Sequence, residues 1–147
     1  MMRPTNARTT LAWLTAIALI GVTVLAWAQA PVRHEVQGTA GGTVRATQWG
    51  VTPTGPCMGW IPRQSHVRFT VPENGTVTIR VRSHTDTTLI VRGGPADAPV
   101  SFCNDDHEGT NPGLHQAMPA GEYRAFVGTW DAGDRVPFTM TVEVQAP

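Results

Sequence analysis

From Val67 onward the chain alternates apolar and polar residues with a period of two. Val67, Phe69 and Val71 interleave with His66, Arg68 and Thr70, and Val77, Ile79 and Val81 interleave with Thr78, Arg80 and Arg82. Successive side chains of a β-strand point to opposite faces, so each run predicts a half-buried strand. Between them, Glu73-Asn74-Gly75 predicts a hairpin-type turn. Thr87 to Arg92 is a β-branched run that stops at Gly93-Gly94-Pro95, Val100 to Cys103 is a short strand, and Pro119-Ala120-Gly121 feeds another from Tyr123 to Trp130. The cleanest alternation comes last, with Val136, Phe138, Met140, Val142 and Val144 in one phase and Thr139, Thr141, Glu143 and Gln145 in the other. Upstream, Thr43 to Trp49 predicts a first strand, and the Pro- and Gly-rich segment Gly50 to Pro62 predicts a loop pinned by Cys57. No segment here shows a sustained 3.6-residue period with caps. Short strands separated by Gly, Pro, Asn and Asp turns predict an all-β fold, an antiparallel β-sandwich of about seven to nine strands.

The N-terminus breaks this pattern. Arg3 and Arg8 precede an apolar run from Leu11 to Trp27, and Ala28-Gln29-Ala30 fits a small-x-small cleavage site. This predicts a signal helix over residues 1–30, removed on export to the periplasm or outside the cell. Retention as a membrane anchor is the alternative, although the run is short against the roughly 20 residues of a span. Residues 31–42, polar and rich in Gly and Ala, predict a flexible lead-in, and residues 43–147 a single β-sandwich domain. Cleavage would leave 147 − 30 = 117 residues, one domain with one core.

Composition narrows the partners. All basic side chains are arginine, and nine of them face eleven carboxylates after Ala30, a net charge of 9 − 11 = −2. Nucleic-acid binding needs a concentrated basic surface, so it is not expected. A protein or polysaccharide ligand outside the cytoplasm stays open, as does a chain with no membrane contact once the signal is gone. The two cysteines, Cys57 and Cys103, form an even count in an exported chain and predict a disulfide. It would close a loop of about 46 residues, which the chain-entropy picture values at about 4 kcal/mol.

The ordered pieces FTVPENGTVTIRV, DTTLIVRGG, CNDD and PAGEYRAFVG, followed by the final alternating strand, resemble the bacterial pre-peptidase C-terminal domains. The likeness runs from about Val67 to Val144. The segments GPCMG and CNDDHEGTNPG look closer still to a stand-alone periplasmic variant of that domain. The resemblance implies a jelly-roll-like sandwich, a non-catalytic binding or structural role, and calcium in some members.

Candidate chemistry then falls in three places. Asn104, Asp105, Asp106 and Glu108 crowd oxygen-bearing side chains into one loop, with Asp86 in reach. Calcium takes six to eight oxygens in flexible geometry, so these five residues form its expected ligand set. The competing reading is a solvated turn whose Asn and Asp bond their own backbone. Cys103, His107, His115 and Met118 match the residue types of a blue-copper centre, so a copper electron carrier or metal-dependent enzyme is the second functional class. Their spacing is longer than such a site uses, and no nucleophile elbow, HExxH or phosphate-cradling loop is present. Among the aromatics, Phe126 and Trp130 fall out of phase with Tyr123, Ala125 and Val127, which predicts them on the surface as ligand-stacking rings. Packing in the core is the alternative for the aromatic set as a whole.

Overall fold

The structure is a computed structural model that describes residues 30–147. The expected signal helix falls, except for Ala30, outside the described residues. Among the described residues there is no α-helix, and no helix is long and apolar enough to cross a membrane.

Eight strands of five or more residues make the body: β1 (Val32–Ala40), β6 (Val67–Val71), β7 (Gly75–Ser83), β8 (Thr87–Gly94), β9 (Val100–Asn104), β10 (Gly113–Met118), β11 (Gly121–Thr129) and β12 (Val136–Gln145). Four two-residue strands lie between the first two: β2 (Val44–Arg45), β3 (Val51–Thr52), β4 (Gly55–Pro56) and β5 (Trp60–Ile61). All pairing is antiparallel. One sheet has the order β1-β12-β7-β10; the larger one runs β2-β5-β11-β8-β9, with β6 also paired to β11. These two sheets are called the smaller and the larger sheet below.

The inner faces carry the apolar phase of each strand. Val77, Ile79 and Val81 of β7 and Phe138, Met140 and Val142 of β12 meet Leu89 and Val91 of β8 and Tyr123, Ala125 and Val127 of β11, all buried. Tyr123 is fully enclosed, stacks on Phe69 with ring centroids 5.5 Å apart, and donates its hydroxyl to the Pro119 carbonyl at 2.8 Å. That bond satisfies the polar end of an otherwise apolar ring, as burial requires. A second, smaller core lies on the outer side of the larger sheet, where Ala46, Cys57 and Ile61 pack onto Ile90 and Cys103.

Three expectations are corrected. Val32–Ala40 is no flexible lead-in: β1 pairs with β12 along its whole length, from Val32 opposite Val144 to Ala40 opposite Val136. Its sequence is polar because most of it is open to solvent, Val32 to Glu35 in both phases. Thr43 to Trp49 is not one strand, for β2 ends at Arg45 and a 3₁₀ turn follows over Ala46–Trp49. Glu73-Asn74-Gly75 is not a hairpin, because β6 belongs to the larger sheet and β7 to the smaller one. A type I′ hairpin needs positive φ at both central residues, and neither Asn74 nor Gly75 has it. The turn arches between sheets, held where Ala120 N–H donates to Asn74 Oδ1 at 2.9 Å.

Candidate functional site

The disulfide is present. Cys57 and Cys103 are bonded, their Cα atoms 5.1 Å apart, tying the segment over the outer face to edge strand β9. The same segment finishes that edge. Thr52 and Thr54 Oγ1 each accept from Cys103 N–H at 3.0 Å, and Thr54 Oγ1 donates to the Cys103 carbonyl at 2.8 Å. Two hydroxyls thereby satisfy the backbone groups that a further strand would otherwise pair.

The copper arrangement does not form. Cys103 carries no free thiol. Met118 is buried in the core, whereas His115, in the opposite phase of β10, is exposed and bonds Thr78 Oγ1 through Nδ1 at 2.9 Å. Two residues on opposite faces of one strand cannot share an ion.

The acidic loop is assembled differently from the expected five-residue set. Asn104 is engaged in shaping it: Oδ1 accepts from Gly113 N–H at 2.9 Å, and Nδ2 donates to the Asp106 carbonyl at 3.3 Å. Glu108 Oε1 accepts from Arg80 Nη1 at 2.7 Å, and Glu108 and Asn111 exchange backbone bonds in a tight turn. Asn111 Oδ1 accepts from Ser83 N–H at 2.8 Å. Asp86 remains, together with Asp105, Asp106 and Asp131, a residue absent from the expected set. Asp86 Oδ1 is buried with no hydrogen-bond partner among the described residues, as are the hydroxyls of Thr87 and Thr88 beside it. Burial pushes the Asp86 carboxyl above its ordinary range, and the charges of Asp106, Asp105 and Asp131 push it further. These carboxylates feel one another without converging: among the described residues no three His, Cys, Asp or Glu side chains are placed to hold a metal ion.

The aromatics separate. Tyr123 is core, as noted. Trp49 lies under the Arg92 guanidinium, 5.2 Å from its centroid, and Trp60 under Arg45 at 4.7 Å. Trp130 is exposed just past the end of β11. Phe126 is half-buried on the outer core of the larger sheet. It shares with Arg124 the ridge between two shallow cavities. One, of about 320 Å³, has Arg92, Glu122 and Pro99 on its walls, and the other, of about 380 Å³, has Arg63, Gln64, Ser65 and Arg68.

The strand register makes this face basic. Arg124 sits directly opposite Arg68 on β6 and opposite Arg92 on β8, so three guanidinium side chains leave one face in a row. Ser101 follows opposite Arg92, and its Oγ accepts from Arg92 Nε at 3.2 Å. Like charges directly opposite each other in a sheet are destabilising. Among the described residues, none of Arg63, Arg68, Arg92 or Arg124 has a carboxylate within ion-pair distance, whereas Arg33 and Arg80 of the smaller sheet pair with Glu143 at 3.0 Å and Glu108 at 2.7 Å.

No family model matches the chain, and no curated protein matches it.

Proposed function

We propose that the chain is an exported, non-catalytic β-sandwich module that binds an extracellular or periplasmic polymer or protein on the outer face of its larger sheet. The observation that carries this reading is Phe126, left partly open between two shallow cavities on a rigid, disulfide-anchored sheet. A concave surface with an apolar ring and a few fixed polar groups is how ligand sites are built. The disulfide fits an oxidising compartment. The strand order supports the jelly-roll-like reading, since the eight long strands alternate between sheets and only β8 and β9 form a hairpin. With the order of its sequence pieces, it also supports kinship with the pre-peptidase C-terminal domains.

Calcium at the acidic end belongs to the same proposal. Its support is the charge repulsion around Asp86 and the unpartnered Asp86 oxygen; uptake of an ion requires Asp105 and Asp106 to close on that oxygen. Bound calcium would remove the mutual repulsion of these carboxylates.

Two experiments test the parts separately. In affinity electrophoresis against a panel of soluble polysaccharides and against immobilised extracellular matrix proteins, the protein binds at least one, and Phe126→Ala weakens that binding. Binding untouched by Phe126→Ala defeats the assigned face. For calcium, protein first stripped of metal melts at a higher temperature with millimolar calcium than with chelator, and Asp105→Ala or Asp106→Ala removes the difference. Identical melting curves defeat the calcium part.

A further inference from the structure

The two outer faces differ in how arginine is set: on the smaller sheet, among the described residues, Arg82 alone of three strand arginines lacks a carboxylate within ion-pair distance. On the smaller sheet, Arg33 is set against Glu143 and Glu35, and Arg80 against Glu108. A cavity there, of about 620 Å³, sets Arg33, Arg80 and Arg82 together with Glu35 and Glu143 on its walls. On the larger sheet, Arg68, Arg124 and Arg92 stand side by side on three adjacent strands, Arg63 joins them at one cavity, and among the described residues Glu122 is the one carboxylate lining either cavity. All four arginines are exposed. Arg92 is fixed in place by Ser101 beneath its Nε and by the Trp49 ring under its guanidinium. Adjacent strands are about 4.8 Å apart, so the row spans roughly 10 Å across the sheet.

From this contrast we propose that the ligand of this face is an acidic polysaccharide bearing a carboxylate on its sugar rings. The proposal rests on the binding-module reading and names its ligand class. A row of mutually repelling guanidiniums is a fold-state cost that a bound polyanion removes. Guanidinium matches carboxylate in a planar, two-bonded fork. Phe126, on the ridge between the cavities, offers an apolar ring to the C–H face of a sugar while Arg124 beside it meets the carboxylate. Gln64 and Ser65 in the second cavity supply neutral hydrogen-bonding groups suited to sugar hydroxyls. The basic area is one row in residues 31–147, which carry nine arginines against eleven carboxylates, and is small for a nucleic-acid duplex.

The test is affinity electrophoresis and calorimetry with polygalacturonate, uncharged dextran and a double-stranded DNA oligomer as probes. The wild-type protein binds polygalacturonate, the binding weakens as salt is raised, and dextran does not compete. Arg124→Gln weakens it about tenfold, the scale of losing one charged hydrogen-bonded contact, and Arg68→Gln acts in the same direction. Arg82→Gln, the same charge change on the opposite sheet, leaves it unchanged. Arg124→Gln also melts no lower than wild type, because it relieves repulsion; a merely structural arginine would lower the melting temperature. Equal binding of polygalacturonate by wild type and Arg124→Gln overturns the proposal, as does equal loss in Arg82→Gln or preference for the DNA. Binding of dextran that depends on Phe126 overturns it too, yet leaves the binding-module reading standing. Failure of every polymer and protein in the panel takes both down.

Discussion

His66 does the work of a strand residue with its side chain. Its Nδ1 accepts the Val127 N–H at 3.0 Å, and its Nε2 lies 3.0 Å from the Thr39 carbonyl, so one ring links β11 of the larger sheet to β1 of the smaller one. The ring also packs edge-on against Phe138, 4.7 Å between centroids. With the amide donating to Nδ1, the proton must sit on Nε2 to satisfy Thr39; a second proton on Nδ1 would face an N–H. Burial holds the His66 pKa below the ordinary histidine value, against the opposing pull of the Thr39 bond. A depressed folded value means the unfolded chain takes the proton more readily. The stabilisation is therefore complete above about pH 6.5, the unfolded value, and is lost as pH falls from there through the lower folded value. Melting temperatures between pH 7.5 and 5 will fall more steeply for the wild type than for His66→Gln; parallel slopes would show that the ring does not titrate in this range. Asp86 has the opposite sign. Its raised pKa makes the ionised carboxylate a burden on the folded state, so its penalty is absent below the unfolded value and grows as pH rises through the folded one. Asp86→Asn will melt higher than wild type near neutrality, and the two curves will converge in acid. A lower-melting variant at neutral pH would mean that the carboxylate makes a bond worth more than the repulsion it suffers.

At the scale of elements, the threonine cap on β9 has a measurable worth. Thr54→Val removes a side-chain donor to the Cys103 carbonyl and keeps the shape. A lost bond of this kind costs about 1–2 kcal/mol. Urea denaturation should show that loss, with faster hydrogen exchange along β9; an unchanged midpoint would mean that water replaces the hydroxyl at no cost. Much of the element list was legible in the sequence. β12 and β7 alternate strictly because each has one face in the core and one in solvent. β1 was hidden because its apolar residues are few and its reason for being a strand is β12, about a hundred residues away. The arch at Asn74 was misread for a related reason: local turn chemistry does not reveal which sheet each flanking strand joins. The acidic loop was visible as a cluster, but which oxygens stay free depends on Gly113 and Arg80, brought there by the fold. Arg68, Arg92 and Arg124 each sit in the polar phase of a strand and were readable as exposed. Their adjacency is a matter of register between strands far apart in sequence, and a single sequence does not display it. Phase alone puts Phe126 on the outer side of β11, where it packs half-buried against the outer core.

Over the whole molecule, charge is sorted by place. Ion pairs lie on the smaller sheet, carboxylates gather around Asp86, and three arginines with no carboxylate in ion-pair distance among the described residues stand in a row on the outer face of the larger sheet. The disulfide and the threonine cap brace that last face along its β9 edge, so its arginines project from a fixed surface. Under the proposed binding role, the arginine face is where the ligand docks. Backbone-amide chemical-shift mapping of isotopically labelled protein during titration with polygalacturonate oligomers tests this most directly. Shifts concentrated at Arg68, Arg92, Arg124 and Phe126 and their strand neighbours, with Arg33, Arg80 and Arg82 unmoved, are the predicted result. Shifts centred on the smaller sheet, or no shifts at millimolar oligomer, would contradict it.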